Sequence, residues 1–541
     1  MPARRSATAS GTDTVSQLVD RPAARQPESL ALVDRSHVWT YGRLAAESRR
    51  LASGLKNLGI GAGDRVAFWL PNIAPYLALH IACARIGAIT VSVNTRFRAR
   101  EVGDIVGRAG CRALALWPSF KDIPFLQTLG EIESAALATL ESIIIYGDDQ
   151  PVPSLPGTLA GRSVVDYQEL ADTEEFTGDF AQPEGGVVVF TTSGTTAVPK
   201  FVLHSHASIA CHADDVTQFF GWSEPDTVIL QVVPLCGTFG HAQAMAGLAA
   251  GRPLVMMPVF SGPEAASLMY EHEVTHCNGS DEMFARMLDA VDAPLAFPLF
   301  RFGGYAAFNP LYQDIVAQAD KRGMKLVGLW GMSEMQALYA RQDPGETVEV
   351  RGRRGGVLVS KHAKVRVRHA EHGTLLPHGE VGELEVCGPS RMSEYFGDTA
   401  SSESVLTEDG FVRTGDLGYT ETDQRFVFLG RMGDAIRLGG FLVNPAEVEE
   451  YLESHAAVDR AQVVAVETPQ GMRAFAFVIT DDTDEFDENT LLAHCAAGMA
   501  AFKVPVGVQR LVRFPVTESA NGVKIQRSRL REMAADHLKS S

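Results

Sequence analysis

A dense set of hydroxyl groups, one glycine and a lysine follow an apolar run in the first half of the chain. The run 187–190 is rich in valine and predicts a buried strand. The side chains that could act on a ligand come next: Thr192, Ser193, Gly194, Thr195, Thr196 and Lys200. A loop that leaves a buried strand with backbone N–H groups and hydroxyls can surround a polyphosphate, and a lysine adds positive charge. The length and density of the run favour this phosphate loop over an ordinary Ser/Thr-rich turn, although it is not a Walker loop.

Strand and helix patterns alternate on both sides of the loop. Before it, a strand near Arg65–Leu70 and a helix over Pro75–Gly87 are predicted. After it, a helix over Ala207–Phe220, a strand over Val228–Leu235 and a helix over Pro310–Arg322 are predicted. Such alternation indicates an α/β fold with mostly parallel sheets covered on both faces. Two runs of this kind predict two pseudo-repeated α/β layers in one large domain.

The pattern changes twice towards the C-terminus. Residues 348–388 form short alternating segments, which favour a small antiparallel barrel or sheet. From about residue 430 the chain is typical of a compact α+β unit of roughly a hundred residues. We therefore predict a disordered tail over 1–13, a large N-terminal domain over 14–431 that includes the barrel-like part, and a small mobile α+β domain over 432–541.

Composition excludes several functions. The net charge of −18 argues against nucleic-acid binding, which needs clustered Lys and Arg. None of the seven cysteines forms a C-x-x-C pair, so neither a zinc site nor a disulfide framework is indicated. We predict no membrane span, and a cytoplasmic location, because no apolar stretch is long enough and no apolar signal core follows the basic N-terminus. A homodimer is left open.

Further residues that could take part in binding or catalysis follow the loop in the sequence. Trp330-Gly331-Met332-Ser333-Glu334 follows a predicted strand, which places it at a sheet edge where ligands bind in open α/β folds. An aromatic face suits a base, and a carboxylate is a hard oxygen ligand for Mg²⁺. Asp416, in Thr-Gly-Asp, can accept hydrogen bonds from two vicinal hydroxyls, and Arg431 can donate to the same ring.

These motifs together resemble the adenylate-forming superfamily, which contains acyl-CoA synthetases, firefly luciferase and peptide-synthetase adenylation domains. The resemblance covers nearly the whole chain. It implies that Thr192 to Lys200 bind phosphates, that Trp330 stacks on adenine beside Gly304, and that Asp416 and Arg431 hold the ribose. It assigns Ser333 to the α-phosphate and Glu334 to Mg²⁺.

Towards the C-terminus the resemblance implies three further roles. Lys524, in Asn-Gly-Val-Lys, matches the family's catalytic lysine, which can neutralise the substrate carboxylate and the α-phosphate during attack. Gly433 stands at the hinge about which the C-terminal domain rotates, and a glycine there permits large φ/ψ changes. Gly439 and Gly440 lie in a loop that resembles the one facing coenzyme A.

The acyl pocket is implied in the same way. Gly237 stands where the family usually carries His or an aromatic residue, and its lack of a side chain predicts a larger pocket. His241 follows one turn later. The remaining candidates for the pocket are Asn278, Gly303 and Met332.

We predict an AMP-forming acyl-CoA synthetase that uses ATP, Mg²⁺ and coenzyme A on a bulky or long carboxylic acid. Ala197 and Phe201 replace glycines usual in the phosphate loop, so a ligase acting mainly on a supplied acyl-adenylate, with weak or absent adenylation, is an alternative. An acyl-carrier-protein ligase is a second alternative. A non-catalytic nucleotide- or acyl-binding relative is a third, disfavoured because Glu334, Asp416 and Lys524 are present.

Overall fold

The computed structural model describes residues 13–121, 123–148, 158–192, 199–308, 312, 314–432, 436–438, 441–443, 445–469, 471–480, 487–499, 501, 503–519 and 522–540. The chain forms two compact units. The first contains 1–306, 314–364 and 386–413, and the second contains 307–313, 365–385 and 414–541.

The described helices are α1 (Gln17–Arg25), α2 (Tyr41–Asn57), α3 (Ala74–Arg85), α4 (Ala99–Ala109), α5 (Phe125–Gly130), α6 (Tyr167–Ala171), α7 (His206–Phe220), α8 (Thr238–Ala249), α9 (Gly262–Glu271), α10 (Asp281–Asp289), α11 (Ile315–Lys321), α12 (Val348–Arg351), α13 (Thr399–Val405), α14 (Pro445–Glu453), α15 (Glu488–Gly498) and α16 (Arg527–Ser540).

The described strands are β1 (Leu30–Asp34), β2 (His37–Thr40), β3 (Arg65–Trp69), β4 (Ile89–Ser92), β5 (Ala113–Leu116), β6 (Ser142–Ile145), β7 (Thr158–Leu159), β8 (Arg162–Asp166), β9 (Gly186–Thr192), β10 (Lys200–Ser205), β11 (Ile229–Gln231), β12 (Leu254–Met256), β13 (His276–Ser280), β14 (Phe302–Ala306), β15 (Leu326–Met332), β16 (Gln336–Arg341), β17 (Gly355–Leu358), β18 (Lys364–Arg368), β19 (Leu375–Leu376), β20 (Gly382–Cys387), β21 (Glu394–Tyr395), β22 (Val412–Thr422), β23 (Arg425–Arg431), β24 (Ile436–Leu438), β25 (Phe441–Val443), β26 (Arg460–Thr468), β27 (Gly471–Ile479), β28 (Val508–Arg510), β29 (Val516–Ser519) and β30 (Gly522–Ile525).

Two mixed sheets build the first unit. One has the order β21-β10-β9-β4-β3-β5-β6-β8-β7, and the other runs β17-β16-β15-β14-β13-β11-β12-β1-β2. In the first sheet β9, β4, β3, β5, β6 and β8 are parallel, while β10 pairs antiparallel with β9. In the second, β15, β14, β13, β11, β12 and β1 are parallel, while β16 pairs antiparallel with β15. In each sheet one strand, β10 or β16, runs antiparallel to the parallel strand that precedes it in the chain. This shared arrangement confirms the expected two α/β layers.

Two helices lie in the core of the first unit. All twelve residues of α3 are buried, and so are most residues of α8. Both are apolar on every side, the composition expected of helices enclosed by other elements. Their few polar groups, including His80 and His241, therefore need partners inside the protein.

The second unit joins a small β region to the C-terminal segment. The strands follow the order β19-β18-β20-β22-β23, and β22 and β23 form an antiparallel hairpin. The C-terminal part packs α14 and α16 near β26, which pairs with β27, and two apolar clusters form its cores.

Local boundaries differ from the sequence expectations at several places. The strand expected over Val228–Leu235 is shorter in the structure, where β11 ends at Gln231, three residues before Pro234. The helix expected over Pro310–Arg322 is described as α11 from Ile315. Among the described residues, no helix combines the length and the apolar content that a membrane crossing requires.

Candidate functional site

The phosphate-loop residues lie at the end of β9 and the start of β10. Thr192 pairs with Lys200 in the antiparallel ladder, and its Oγ1 donates to the Lys200 carbonyl at 3.5 Å. The intervening residues Ser193, Gly194, Thr195 and Thr196, together with Ala197, lie outside the described residues. The structure thus describes the two ends of the predicted loop, where the sheet turns from parallel to antiparallel.

Phe201, the bulky replacement in this motif, has a packing role. Its ring is buried, and the guanidinium of Arg108 on α4 lies 4.3 Å from the ring centroid. Arg108 also donates to the Pro199 carbonyl at 3.0 Å. Successive side chains of a strand point to opposite faces, so the Phe201 ring and the Lys200 side chain lie on opposite sides of β10.

The Ser333–Glu334 motif occupies a tight turn between β15 and β16. Residues Ser333–Met335 form a single 3₁₀ turn, and Gln336 follows with a positive φ of 61°. A non-glycine residue in this region is held by its surroundings. Here the Gln336 Nε2 donates to the Ser208 carbonyl at 2.9 Å, inside the core.

Two further contacts fix Ser333. The buried imidazole of His204 donates from Nε2 to the Ser333 carbonyl at 2.7 Å. At the start of α8, Thr238 Oγ1 lies 3.4 Å from Ser333 Oγ. The residue assigned to the α-phosphate is therefore linked to the helix that begins beside Gly237.

Trp330, assigned to adenine, is largely enclosed by protein. Its side chain is buried, and its ring packs edge-on against Tyr339 with a centroid distance of 5.6 Å. Met332, two residues on, is half-buried and pairs with Gln336. Stacking on a base stays a prediction for Trp330.

Glu334 has a partner that sequence reasoning missed. The hydroxyl of the buried Tyr395, on β21, donates to Glu334 Oε1 at 2.6 Å. The ammonium of Lys200 lies 4.4 Å from the centroid of the same ring. Tyr395 lies in Ser-Glu-Tyr-Phe-Gly, a short segment whose sequence carries no periodic signal, so its place beside Lys200 and Glu334 emerges from tertiary structure alone.

Glu334 fits the way proteins bind Mg²⁺. This cation usually keeps several waters and binds one or two carboxylates together with substrate phosphates. Within the described residues no group of three or more His, Cys, Asp or Glu side chains is placed to hold a metal ion. A single carboxylate with one oxygen engaged by Tyr395 suits a cation that arrives with a nucleotide.

The candidate acyl pocket is open at Gly237. A Cβ at this position would have the Pro234 carbonyl oxygen, at 3.6 Å, as its nearest neighbour within 4 Å. Gly303 and Gly304 differ, because a Cβ on either would meet β13, at the Cys277 carbonyl (2.8 Å) or the Asn278 side chain (2.5 Å). These two glycines are required by close strand packing.

His241 and Asn278 are both bound to protein groups. His241 Nε2 lies 3.1 Å from His80 Nε2, and His80 Nδ1 lies 2.9 Å from Thr90 Oγ1. Burial lowers the pKa of His80 to about 3 and also depresses that of His241. Asn278 Oδ1 accepts from the Gly304 N–H at 2.9 Å. His241 thus belongs to a neutral polar chain in the core.

The predicted ribose pair lies on one hairpin of the second unit. Asp416 on β22 faces Arg431 on β23, with Oδ1 and Nε 3.0 Å apart. Asp416 is 3% exposed and Arg431 is 53% exposed at the side chain. Thr414 supports the turn, because its Oγ1 accepts from the Asp416 N–H at 2.9 Å while Arg431 donates to its carbonyl at 3.1 Å.

The remaining predictions fall on the C-terminal segment. Lys524 lies on β30, opposite Thr517 in the hairpin with β29. Gly433, Gly439 and Gly440 lie outside the described residues, although the strands that flank the last two, β24 and β25, are paired.

Residues predicted to bind the nucleotide lie next to the strand reversal in each of the two mixed sheets, at β9–β10 and at β15–β16. The sequence matches the AMP-binding enzyme family over residues 19–396 and the AMP-binding enzyme C-terminal domain over 447–521. The chain belongs to this family, within the adenylate-forming superfamily.

Individual relatives agree with this class. The medium-chain acyl-CoA ligase ACSF2, mitochondrial, of Pongo abelii is 30% identical over 97% of this chain and 88% of its own length. The protein of the same name from Homo sapiens is 29% identical with the same coverage.

Solved structures share the fold. The ATP-bound MatB from Rhodopseudomonas palustris has a TM-score of 0.81 at 23% identity, covering 96% of this chain and 99% of that one. The o-succinylbenzoate CoA synthetase of Bacillus subtilis, in complex with its acyl-adenylate intermediate, has a TM-score of 0.77 at 24% identity, covering 95% and 98%. The predicted superfamily, fold class and enzyme class, an AMP-forming acid–thiol ligase, are thus confirmed.

Proposed function

We propose that this enzyme couples ATP cleavage to thioester formation on coenzyme A, through an acyl-adenylate. The observation that carries the proposal is that Tyr395 contacts both Lys200, at the start of β10, and Glu334, in the turn between β15 and β16. A cation after a phosphate loop and a carboxylate available to Mg²⁺ are the charges that a bound triphosphate requires.

In the first half-reaction, an oxygen of the substrate carboxylate attacks the α-phosphorus of ATP. A carboxylate–phosphorus bond forms, and the bond to pyrophosphate breaks. Thr192 and Lys200 bind the phosphates, Ser333 orients the α-phosphate, and Lys524 offsets the negative charge that accumulates during attack. Mg²⁺, when bound at Glu334, supplies charge neutralisation for the phosphate oxygens.

In the second half-reaction, the sulfur of coenzyme A attacks the acyl carbonyl and AMP leaves, while the thiol proton passes to solvent. We propose that rotation at Gly433 removes Lys524 and brings Gly439 and Gly440 to coenzyme A. Asp416 and Arg431 hold the ribose in both steps.

The acid is proposed to be long or bulky. The open space at Gly237 supports this, since a side chain there would occupy part of the pocket. The relatives named as medium-chain acyl-CoA ligases support an acid larger than acetate. Those relatives are also named mitochondrial, so a cytoplasmic location stays a prediction that cell fractionation would test.

Adenylation is retained in the proposal despite Phe201. The ring lies on the face of β10 opposite Lys200 and is covered by Arg108, so it has a place in the core away from the lysine. The alternative, a ligase that depends on supplied acyl-adenylate, rested on this residue and on Ala197.

Paired partial reactions test the proposal. ATP–pyrophosphate exchange reports the first step, and thioester formation from pre-made acyl-adenylate reports the second, over a panel of acids. Lys524→Ala should lower exchange by about 100-fold or more, the effect of removing one transition-state charge partner, and leave the second step nearly unchanged. Lys539→Ala, an exposed lysine of the same unit, is the matched control.

Two results would contradict the proposal. Wild-type enzyme without exchange on any acid, but with thioester formation from adenylate, would establish the supplied-adenylate alternative. Thioester formed on an acyl-carrier protein and not on coenzyme A would establish the carrier-protein alternative.

A further inference from the structure

A short segment of the first unit, residues 392–396, contacts both β10 and the turn between β15 and β16. Strand β21 pairs antiparallel with β10, which places Tyr395 opposite Val202. The backbone bonds of this segment are Met392 N–H to Glu334 O (2.7 Å), Ser393 N–H to Leu203 O (2.8 Å) and Phe396 N–H to Phe201 O (2.7 Å). The segment thus joins the strand that carries Lys200 to the turn that carries Glu334.

Tyr395 adds side-chain contacts to this backbone link. Its side chain is 3% exposed, so the ring has little freedom to move. The ammonium of Lys200 lies over the ring, an arrangement that attracts a cation to the aromatic face. The hydroxyl of the same ring occupies one oxygen of Glu334.

We propose that Tyr395 is a positioning residue for the nucleotide–metal end of the reaction. By donating to Glu334 Oε1, Tyr395 fixes the carboxylate in one rotamer and leaves Oε2 for the cation. Because the Lys200 ammonium lies against the same ring, Lys200 and the Glu334 carboxylate are held at a fixed distance from each other before the nucleotide binds. This inference rests on the proposed function, since that function assigns Glu334 to Mg²⁺.

The test is Tyr395→Phe, which keeps the ring and the Lys200 contact but removes the hydroxyl. Tyr41→Phe is the matched control, because Tyr41 is equally buried and its hydroxyl donates to the Arg252 carbonyl at 3.1 Å. ATP affinity is measured by titration calorimetry with and without Mg²⁺, alongside the Mg²⁺ concentration that gives half-maximal pyrophosphate exchange. Thioester formation from pre-made adenylate reports whether each variant is folded.

We expect Tyr395→Phe to weaken ATP binding in the presence of Mg²⁺ by about tenfold, since a hydrogen bond to a charged group is lost. ATP affinity without Mg²⁺ and the rate of thioester formation from pre-made adenylate should stay within about twofold of wild type, because neither depends on the hydrogen bond to Glu334. Tyr41→Phe should leave the Mg²⁺ dependence unchanged.

Either of two outcomes would overturn the inference: a Mg²⁺ dependence equal to wild type, or an equal loss of affinity with and without Mg²⁺. Failure of the proposed function is distinguishable, because calorimetry requires no turnover. A wild-type enzyme that binds Mg²⁺ and ATP but forms no thioester would refute the function and still allow the Tyr395 comparison.

Discussion

At the scale of single residues, two glycines at the start of α8 illustrate opposite constraints. Gly237 has an extended backbone with φ −105° and room for a Cβ, whose nearest neighbour would be the Pro234 carbonyl oxygen at 3.6 Å. A Cβ on Gly240 would instead lie 2.3 Å from the Pro234 carbonyl oxygen and 2.5 Å from that of Val233. The first glycine leaves room, and the second is required by packing.

We therefore expect Gly237→Leu to fold with a stability loss below about 1 kcal/mol, since a glycine N-cap is lost. Its kcat/KM for the longest acids accepted should fall by about tenfold or more, while short acids are affected less. Gly240→Ala should destabilise the protein by about 1–3 kcal/mol through overpacking, without narrowing the acid range. Thermal melts and a chain-length series measure both.

An unchanged chain-length profile in Gly237→Leu would show that the open space at Gly237 does not belong to the acyl pocket. The imidazole of His241, one turn further along α8, has its Nε2 3.1 Å from His80 Nε2 in the core.

At the scale of elements, the strands and motifs could be predicted from sequence where a short run of neighbouring residues determines them. The apolar runs before Thr192 and Trp330 predict β9 and β15; Thr192 is the last residue of β9, and Ser333 and Glu334 follow β15 as expected. The contacts that complete the site are not local. Tyr395 meets Glu334 across 61 positions, and His80 meets His241 across 161, distances in sequence at which side-chain periodicity carries no signal.

The β22–β23 hairpin is an element whose role can be tested by itself, because its two strands bring Asp416 and Arg431 together. If the Asp416 carboxylate accepts from both ribose hydroxyls, wild-type enzyme should prefer ATP over 3′-deoxy-ATP by about tenfold or more. Asp416→Asn should bind ATP less tightly and lose most of that preference, as measured by KM in pyrophosphate exchange.

Asp423→Asn is the control, since Asp423 is exposed in the turn of the same hairpin. An Asp416→Asn variant that keeps the full preference for ATP over 3′-deoxy-ATP would show that Asp416 does not bind the ribose hydroxyls.

At the scale of the whole molecule, the first unit buries several histidines in the neutral form. They are His80 and His276, each with a pKa lowered to about 3, His204, His206 and His212, each with a pKa lowered to about 4, and His241, whose pKa burial and neighbouring histidines hold well below its usual value. Burial is the main cause in each case, since it disfavours the charged ring. His204 and His212 donate to the Ser333 and Ala337 carbonyls, so these rings also support the Glu334 turn.

The sign of the pH effect follows from these shifts. Below the ordinary histidine pKa of about 6.5, the unfolded chain takes up protons that the folded unit does not, so the free energy of unfolding falls as pH decreases towards about 4. Each such histidine contributes a slope of at most about 1.4 kcal/mol per pH unit, reached near the middle of this window. All five tryptophans lie in the first unit, so urea denaturation followed by tryptophan fluorescence reports this unit.

His212→Gln isolates one contribution, because a glutamine amide can still donate to the Ala337 carbonyl but does not take up a proton. Between pH 7 and pH 5 its slope should be shallower than that of wild type by about 1 kcal/mol per pH unit on average, because the unfolded histidine becomes fully protonated only towards the lower end of this range. His455→Gln, in the second unit, should leave the fluorescence-detected slope unchanged. Equal slopes for wild type and His212→Gln would mean that His212 is protonated in the folded unit, and the turn at Glu334 would then depend on a charged rather than a neutral support.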